Sequence, residues 1–227
     1  MRSAAALALL VPVPSAGAWA AFYGLRGSSG QALYFAAKIW IAALPLVWLR
    51  GVERDLLSFS PLRRDDRRAG LTTGLVLGAL MSAAVLLTWL WLGERLIDVE
   101  TLRTALQETG LTSTTRYVAF ALYLTLVNSL VEEYVWRWFV FRRCEDMLGG
   151  ASAVLVSALF FTLHHVIAFH AQFGATTAAL ASGAVFGAGC LWSACYLRFR
   201  SIWPGWISHA LVDATALALG WRILLMQ

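Results

Sequence analysis

Residues 71–92 read LTTGLVLGALMSAAVLLTWLWL, twenty-two residues without a charged side chain. As a helix this stretch rises about 33 Å, enough to cross the roughly 30 Å hydrocarbon core of a bilayer. Comparable stretches recur along the chain, at about 4–25, 31–49, 117–141, 151–169, 174–197 and 203–225. The whole sequence agrees with a membrane reading. Of its 227 residues 59% are hydrophobic and 14% charged, with a mean hydropathy of +0.68, where a soluble domain is nearer half apolar and a quarter charged. No alternating strand pattern supports a barrel. The expectation is an all-α, polytopic transmembrane helix bundle of about seven spans (six to eight), forming one membrane-embedded domain over residues 1–227.

The loops on either side of 71–92 orient the chain. Residues 50–70, RGVERDLLSFSPLRRDDRRAG, carry six arginines. With the N-terminus inside, these join Arg2, Arg142, Arg143, Arg198 and Arg200 on one side, eleven in all, against Arg26, Arg95, Arg103, Arg116 and Arg222 on the other. That bias makes 50–70 a cytoplasmic loop. Residues 93–116 mix acids, arginines and apolar residues, as expected of a helix lying at the membrane surface. The first span ends in AGAWA, which also fits a signal-peptide cleavage region, and cleavage there leaves the later topology unchanged. The net charge of +5 rests on 17 arginines and one lysine, Lys38. Those charges are spread over short loops with no continuous patch, which argues against nucleic acid. The preference for arginine and alanine suggests a bacterial source, and hence the plasma (inner) membrane. Three cysteines, Cys144, Cys190 and Cys195, give neither a disulfide framework nor a zinc motif and are read as packing residues.

Charges inside spans are costly, about 2.5–3.5 kcal/mol each on insertion scales, so they face the bundle interior and mark function. Residues 129–143, SLVEEYVWRWFVFRR, place Glu132, Glu133 and Arg137 in the fourth span. Glu133 and Arg137 are four apart on one helical face, at the spacing of an ion pair. Glu132 is turned about 100° away from that face and is left to address something else. SALFFTLHHV at 157–166 puts His164 and His165 in the fifth span, and GWISHALVD at 205–213 puts His209 and Asp213 four apart in the seventh. Counted from the cytoplasmic ends, these groups lie between about 7 and about 20 Å deep. A lone intramembrane histidine is often only an interhelical hydrogen-bonding residue, and a Glu–Arg pair can be packing glue. Polar groups on three helices at overlapping depths are more economically explained by a shared site.

A carboxylate beside a histidine in a water-excluding pocket can deprotonate water, making a nucleophile for a carbonyl carbon. The tetrahedral intermediate then needs donors for its oxyanion. His209 can supply one; Asp213 must be protonated to do so, or else orient His209. The chain has no Gly-x-Ser-x-Gly, no His-Glu-x-x-His and no serine–lysine dyad, so acyl transfer through serine is disfavoured.

At these residues the chain resembles the CAAX protease and bacteriocin-processing family of intramembrane peptidases. EEYVWR matches the family's Glu-Glu-x-x-x-Arg motif. Its Phe-x-x-x-His motif is met twice, by Phe160 with His164 and by Phe161 with His165, and His209 to Asp213 matches His-x-x-x-Asn/Asp. The three motifs occur in the family's order and cover about residues 115–220. The resemblance implies a glutamic-type endopeptidase with a water nucleophile and no covalent enzyme intermediate. Carried over, Glu132 activates water with a fifth-span histidine, Glu133 and Arg137 form the supporting pair, and His209 with Asp213 makes the oxyanion site. His165 is preferred to His164 because the small Thr162 follows its phenylalanine. Where the family has asparagine, Asp213 lacks a neutral amide donor.

No cofactor is expected. Glu132, His165 and His209 offer three ligand types for a metal with one position open to water. Because no helix supplies two histidines at ligand spacing, the reading is metal-free. The expected partners are the lipid bilayer and a membrane-associated protein or peptide with a hydrophobic C-terminal tail, cleaved near its C-terminus. Residues 28–50, with Lys38 and Trp40, are similar to sorting-type bacterial members of the family; Lys38 also fits a side chain snorkelling to the interface. Two other function classes remain open to these residues. A proton-coupled transporter would use intramembrane Glu, His and Asp as a relay, although no duplicated half is visible. A non-enzymatic scaffold or immunity protein would retain the fold.

Overall fold

The structure, a computed structural model, describes residues 1–25, 27–54, 61–108 and 110–225. Residues 55–60 of the charged 50–70 loop, and Arg26, lie outside the described residues. Among the described residues all regular secondary structure is helical and there is no strand. In chain order the helices are α1 (Arg2–Gly24), α2 (Ser28–Glu53), α3 (Arg67–Leu96), α4 (Val99–Glu108), α5 (Thr114–Leu148), α6 (Gly150–Phe199) and α7 (Trp203–Leu225).

Five of these, α1, α2, α3, α5 and α6, are long and apolar enough to cross a membrane, and the protein is a multi-pass membrane protein. The 50 residues of α6 would rise about 75 Å if straight, more than twice a bilayer core. They do not run straight. Gly174 has φ 75° and ψ 177°, a conformation open to glycine because it has no Cβ. It divides α6 into two arms, each long enough to span. Helix α7, with 23 residues, rises about 35 Å and carries the His209–Asp213 pair. Helix α4, ten residues long, occupies part of the 93–116 connection.

The chain forms two compact units, Met1–Pro61 with Tyr134–Ile202, and Leu62–Glu133 with Trp203–Gln227. In the first, the arms of α6 fold back as an antiparallel hairpin. The Ser157 and Ser193 hydroxyls lie 3.1 Å apart, and a Cβ on Gly189 would lie 3.1 Å from that of Ala158. Helices α1 and α2 pack equally closely, Gly17 against Ala37, and the Trp40 indole donates to the Leu9 carbonyl at 2.9 Å. Four helix ends converge at one end of this unit. Ser3 donates to Asp146 (3.0 Å), Arg143 and Trp48 both donate to Glu53 (2.8 and 3.0 Å), and Arg200 makes a two-pronged bond to Glu145 (2.6 and 2.9 Å). These belong to the helix ends that the arginine bias groups on one side.

In the second unit, Gly70, Gly74 and Gly78 repeat every four residues and so form a smooth stripe on α3. Helix α7 lies in that stripe, with Pro204 against Gly70 and Gly74, and Ser208 and Leu211 against Gly78. Further along, Ser82 donates to the Leu211 carbonyl at 3.2 Å, and the Thr215 hydroxyl lies 2.9 Å from that of Ser82. Residue numbers rise together on both helices, so α3 and α7 run parallel. Small residues let helices approach where lipid supplies no hydrophobic drive between them. Helix α5 is tied to α7 by Tyr117, whose hydroxyl donates to the Leu217 carbonyl at 2.6 Å, and by the Trp206 indole, 3.3 Å from the Leu126 carbonyl.

A Cβ on Gly74 would lie 2.7 Å from the Pro204 carbonyl oxygen, a backbone atom that cannot swing aside, whereas one on Gly187 would meet nothing within 4 Å. Gly74→Ala is therefore expected to cost about 1–3 kcal/mol and Gly187→Ala to cost nothing, as read from unfolding midpoints of the purified protein in detergent.

Candidate active site

The two glutamates lie on a short α-helical stretch, Ser129–Glu133, between two wider stretches of α5 with π-helical bonding, Tyr123–Asn128 and Tyr134–Phe141. Such wide turns are unusual inside α-helices and are frequent at functional sites. Beyond Tyr134 they change the same-face spacing towards five residues.

In the second unit the structure brings Glu132, Glu133, His209 and Asp213 around one imidazole. The Nδ1–H of His209 donates to Glu133 Oε1 at 3.1 Å. Its Nε2 lies 3.7 Å from both Glu132 Oε2 and Asp213 Oδ1. The group is deeply placed, with Glu133 fully buried and Glu132 and His209 only 6% and 5% exposed. Burial of ionisable groups at this level is tolerable only when they meet one another, and here three carboxylates meet one ring. Because Nδ1 carries the proton to Glu133, Nε2 is the atom turned to Glu132 and Asp213. Sequence spacing gives the His209–Asp213 face directly. It does not give the bond from His209 to Glu133, which joins residues 76 apart.

The same unit adds a residue that sequence reasoning missed. Asn128 donates from Nδ2 to Glu132 Oε1 at 2.9 Å. Its position one helical turn before Glu132 was the available signal. The amide holds one oxygen of Glu132, and Oε2 is the oxygen nearest His209. Ser129, also buried, returns its hydroxyl to the Thr125 carbonyl.

In the first unit the remaining candidates gather around Phe161. Arg137 is 1% exposed, with its guanidinium 4.5 Å from the Phe161 ring centre and 5.1 Å from that of Trp192. A desolvated cation over two aromatic faces gains about 2 kcal/mol or more. The His165 ring lies edge-on to Phe161 at 4.7 Å, and its Nδ1–H donates to the Phe161 carbonyl at 3.0 Å. That bond leaves Nε2 of His165 as the acceptor nitrogen. The His164 ring stacks on Trp136, with centroids 5.6 Å apart and planes 11° from parallel, and sits 4.1 Å from the His165 ring. Both motif phenylalanine–histidine pairs thus lie on the first arm of α6, and Phe161 is the one that carries the contacts. Cys144 and Cys195 are buried, and Cys190 partly so.

A family model described as type II CAAX prenyl endopeptidase, Rce1-like, matches residues 114–215. The matched segment contains Glu132, Glu133, Arg137, His164, His165, His209 and Asp213. No curated protein and no solved structure matches the chain. Over residues 114–215 the chain is thus similar to the CAAX endopeptidases, a family of membrane-embedded proteases.

Proposed function

We propose that the protein is an intramembrane endopeptidase that uses glutamate-activated water to hydrolyse a peptide bond near the C-terminus of a membrane-associated or tail-anchored substrate. One observation carries the reading. A single buried imidazole is bonded to Glu133 and has Glu132 and Asp213 at 3.7 Å from its second nitrogen. A packing role needs one partner for a buried histidine, not three carboxylates.

In this reading Glu132 takes a proton from water as the water oxygen bonds to the scissile carbonyl carbon. The family motif assigns a fifth-span histidine to the same chemistry, and His165, whose Nε2 is an acceptor, is preferred. The tetrahedral oxyanion is met by His209 Nε2, which donates there as an imidazolium. Asp213 orients that ring when ionised and donates directly only when protonated. The C–N bond then breaks, and the proton on Glu132 passes to the leaving amine. Glu133 anchors the imidazole through its bond to Nδ1. No step runs through a metal ion. The arginine bias supports a bacterial inner membrane with the N-terminus and the 50–70 loop in the cytoplasm, and the composition of 93–116 supports a surface position for α4.

Glu132→Gln keeps the shape but cannot take the proton, so cleavage should fall by at least about 100-fold with folding unchanged. The check is a comparison of membrane-protein C-termini by mass spectrometry in cells expressing either form. Truncated termini present only with wild type support the reading, and identical termini sink it. Asn128 is proposed as a positioning residue that aims Glu132. Asn128→Ala is expected to lower kcat about tenfold while KM stays within about twofold, whereas a purely structural role would move the unfolding midpoint and leave kcat per folded molecule unchanged.

A further inference from the structure

We propose that the cleft at the C-terminal ends of α3 and α7 binds the headgroup of an anionic phospholipid, with Arg95 and Arg222 on its phosphate. The inference does not rest on the proteolytic reading. The cleft is lined by Trp89, Trp91, Gly93 and Arg95 from α3 and by Arg222 from α7. Because the two helices run parallel, their last turns reach the same level, and each arginine lies in its helix's last turn.

That level is the membrane interface. The apolar span of α3 is Arg67–Gly93, so the cleft opens where hydrocarbon gives way to headgroups. Tryptophan prefers this zone. Trp91 is 81% exposed. Gly93 seats the other indole, since a Cβ there would lie 2.5 Å from the Trp89 ring. Leu80 and Leu87, exposed on the same face of α3 as Trp91, offer an apolar track for an acyl chain leading away from the cleft.

Charge selects the occupant. A cation in the last turn of a helix answers the partial negative charge of that helix end, which explains each arginine singly. It does not explain two guanidiniums converging on one cleft with no acid among its described lining residues. A headgroup of net negative charge satisfies both, whereas a zwitterionic one brings its own ammonium. Two basic side chains at a membrane surface correspond to a preference of about 30-fold.

The test is a titration of the full-length protein in neutral detergent with phosphatidylglycerol or phosphatidylcholine, read as bound lipid by native mass spectrometry. Wild type is expected to bind phosphatidylglycerol about 30-fold more tightly. Arg95→Gln with Arg222→Gln should bind both lipids alike, and Arg95→Lys with Arg222→Lys should keep most of the preference. If the double glutamine variant fails to fold, the single variants replace it, each expected to lose about fivefold. Equal binding of the two lipids by wild type, or a preference that survives loss of both charges in folded protein, overturns the proposal. Displacement of the lipid by millimolar inorganic phosphate also overturns it, since that would mark a site for small anions.

Discussion

The hydrogen bond between Glu133 and His209 is the constraint around which the second unit is arranged. A fully buried carboxylate costs several kcal/mol unless a donor meets it, and that donor comes from a helix 76 residues away in sequence. Helix α7 must therefore be held close and in fixed register. The glycine stripe on α3 fixes its depth through Pro204, Ser208 and Leu211, while Tyr117 and Trp206 fix α5 against it. Once Nδ1 of His209 is committed to Glu133, the ring plane is set, and Nε2 turns to Glu132 and Asp213. Packing of small residues thus determines where the His209 imidazole can stand.

The first unit solves a comparable problem by other means. Arg137 is almost wholly out of contact with solvent, and the faces of Phe161 and Trp192 lie against its guanidinium. Phe161 sits on one arm of the α6 hairpin and Trp192 on the other, so the turn at Gly174 is what brings both rings to the cation. Phe161 also carries His165, through ring contact and through its main-chain carbonyl. One aromatic side chain thereby positions both the arginine and the histidine of the family motifs.

Much of this was legible from the residues alone. A run such as 71–92 admits little other than a membrane helix, and GWISHALVD places His209 and Asp213 on one face by spacing alone. The break between the spans 151–169 and 174–197 was readable because a single helix through both would be far longer than a bilayer core is thick. Other features were not. The i,i+4 rule joins residues within one helix, so it paired Glu133 with Arg137 and was silent about His209. The wide turns flanking Ser129–Glu133 have no residue signature. Asn128 looked like any polar residue in a span until its amide was found 2.9 Å from Glu132. Gly70, Gly74 and Gly78 announce a close contact, but nothing in them names Pro204 and Ser208 as its other side.

The central claim is that Glu133 and His209 act as one device that presents Nε2 to the reacting group. A double-mutant cycle tests it most directly, with Glu133→Gln, His209→Asn and their combination assayed for cleavage of a membrane-protein substrate in the same vesicles. The account predicts strong non-additivity, with the double variant scarcely slower than the worse single variant, because either change already disables the pair. Losses that simply multiply in the double variant would show that the two residues act independently, and would contradict the account.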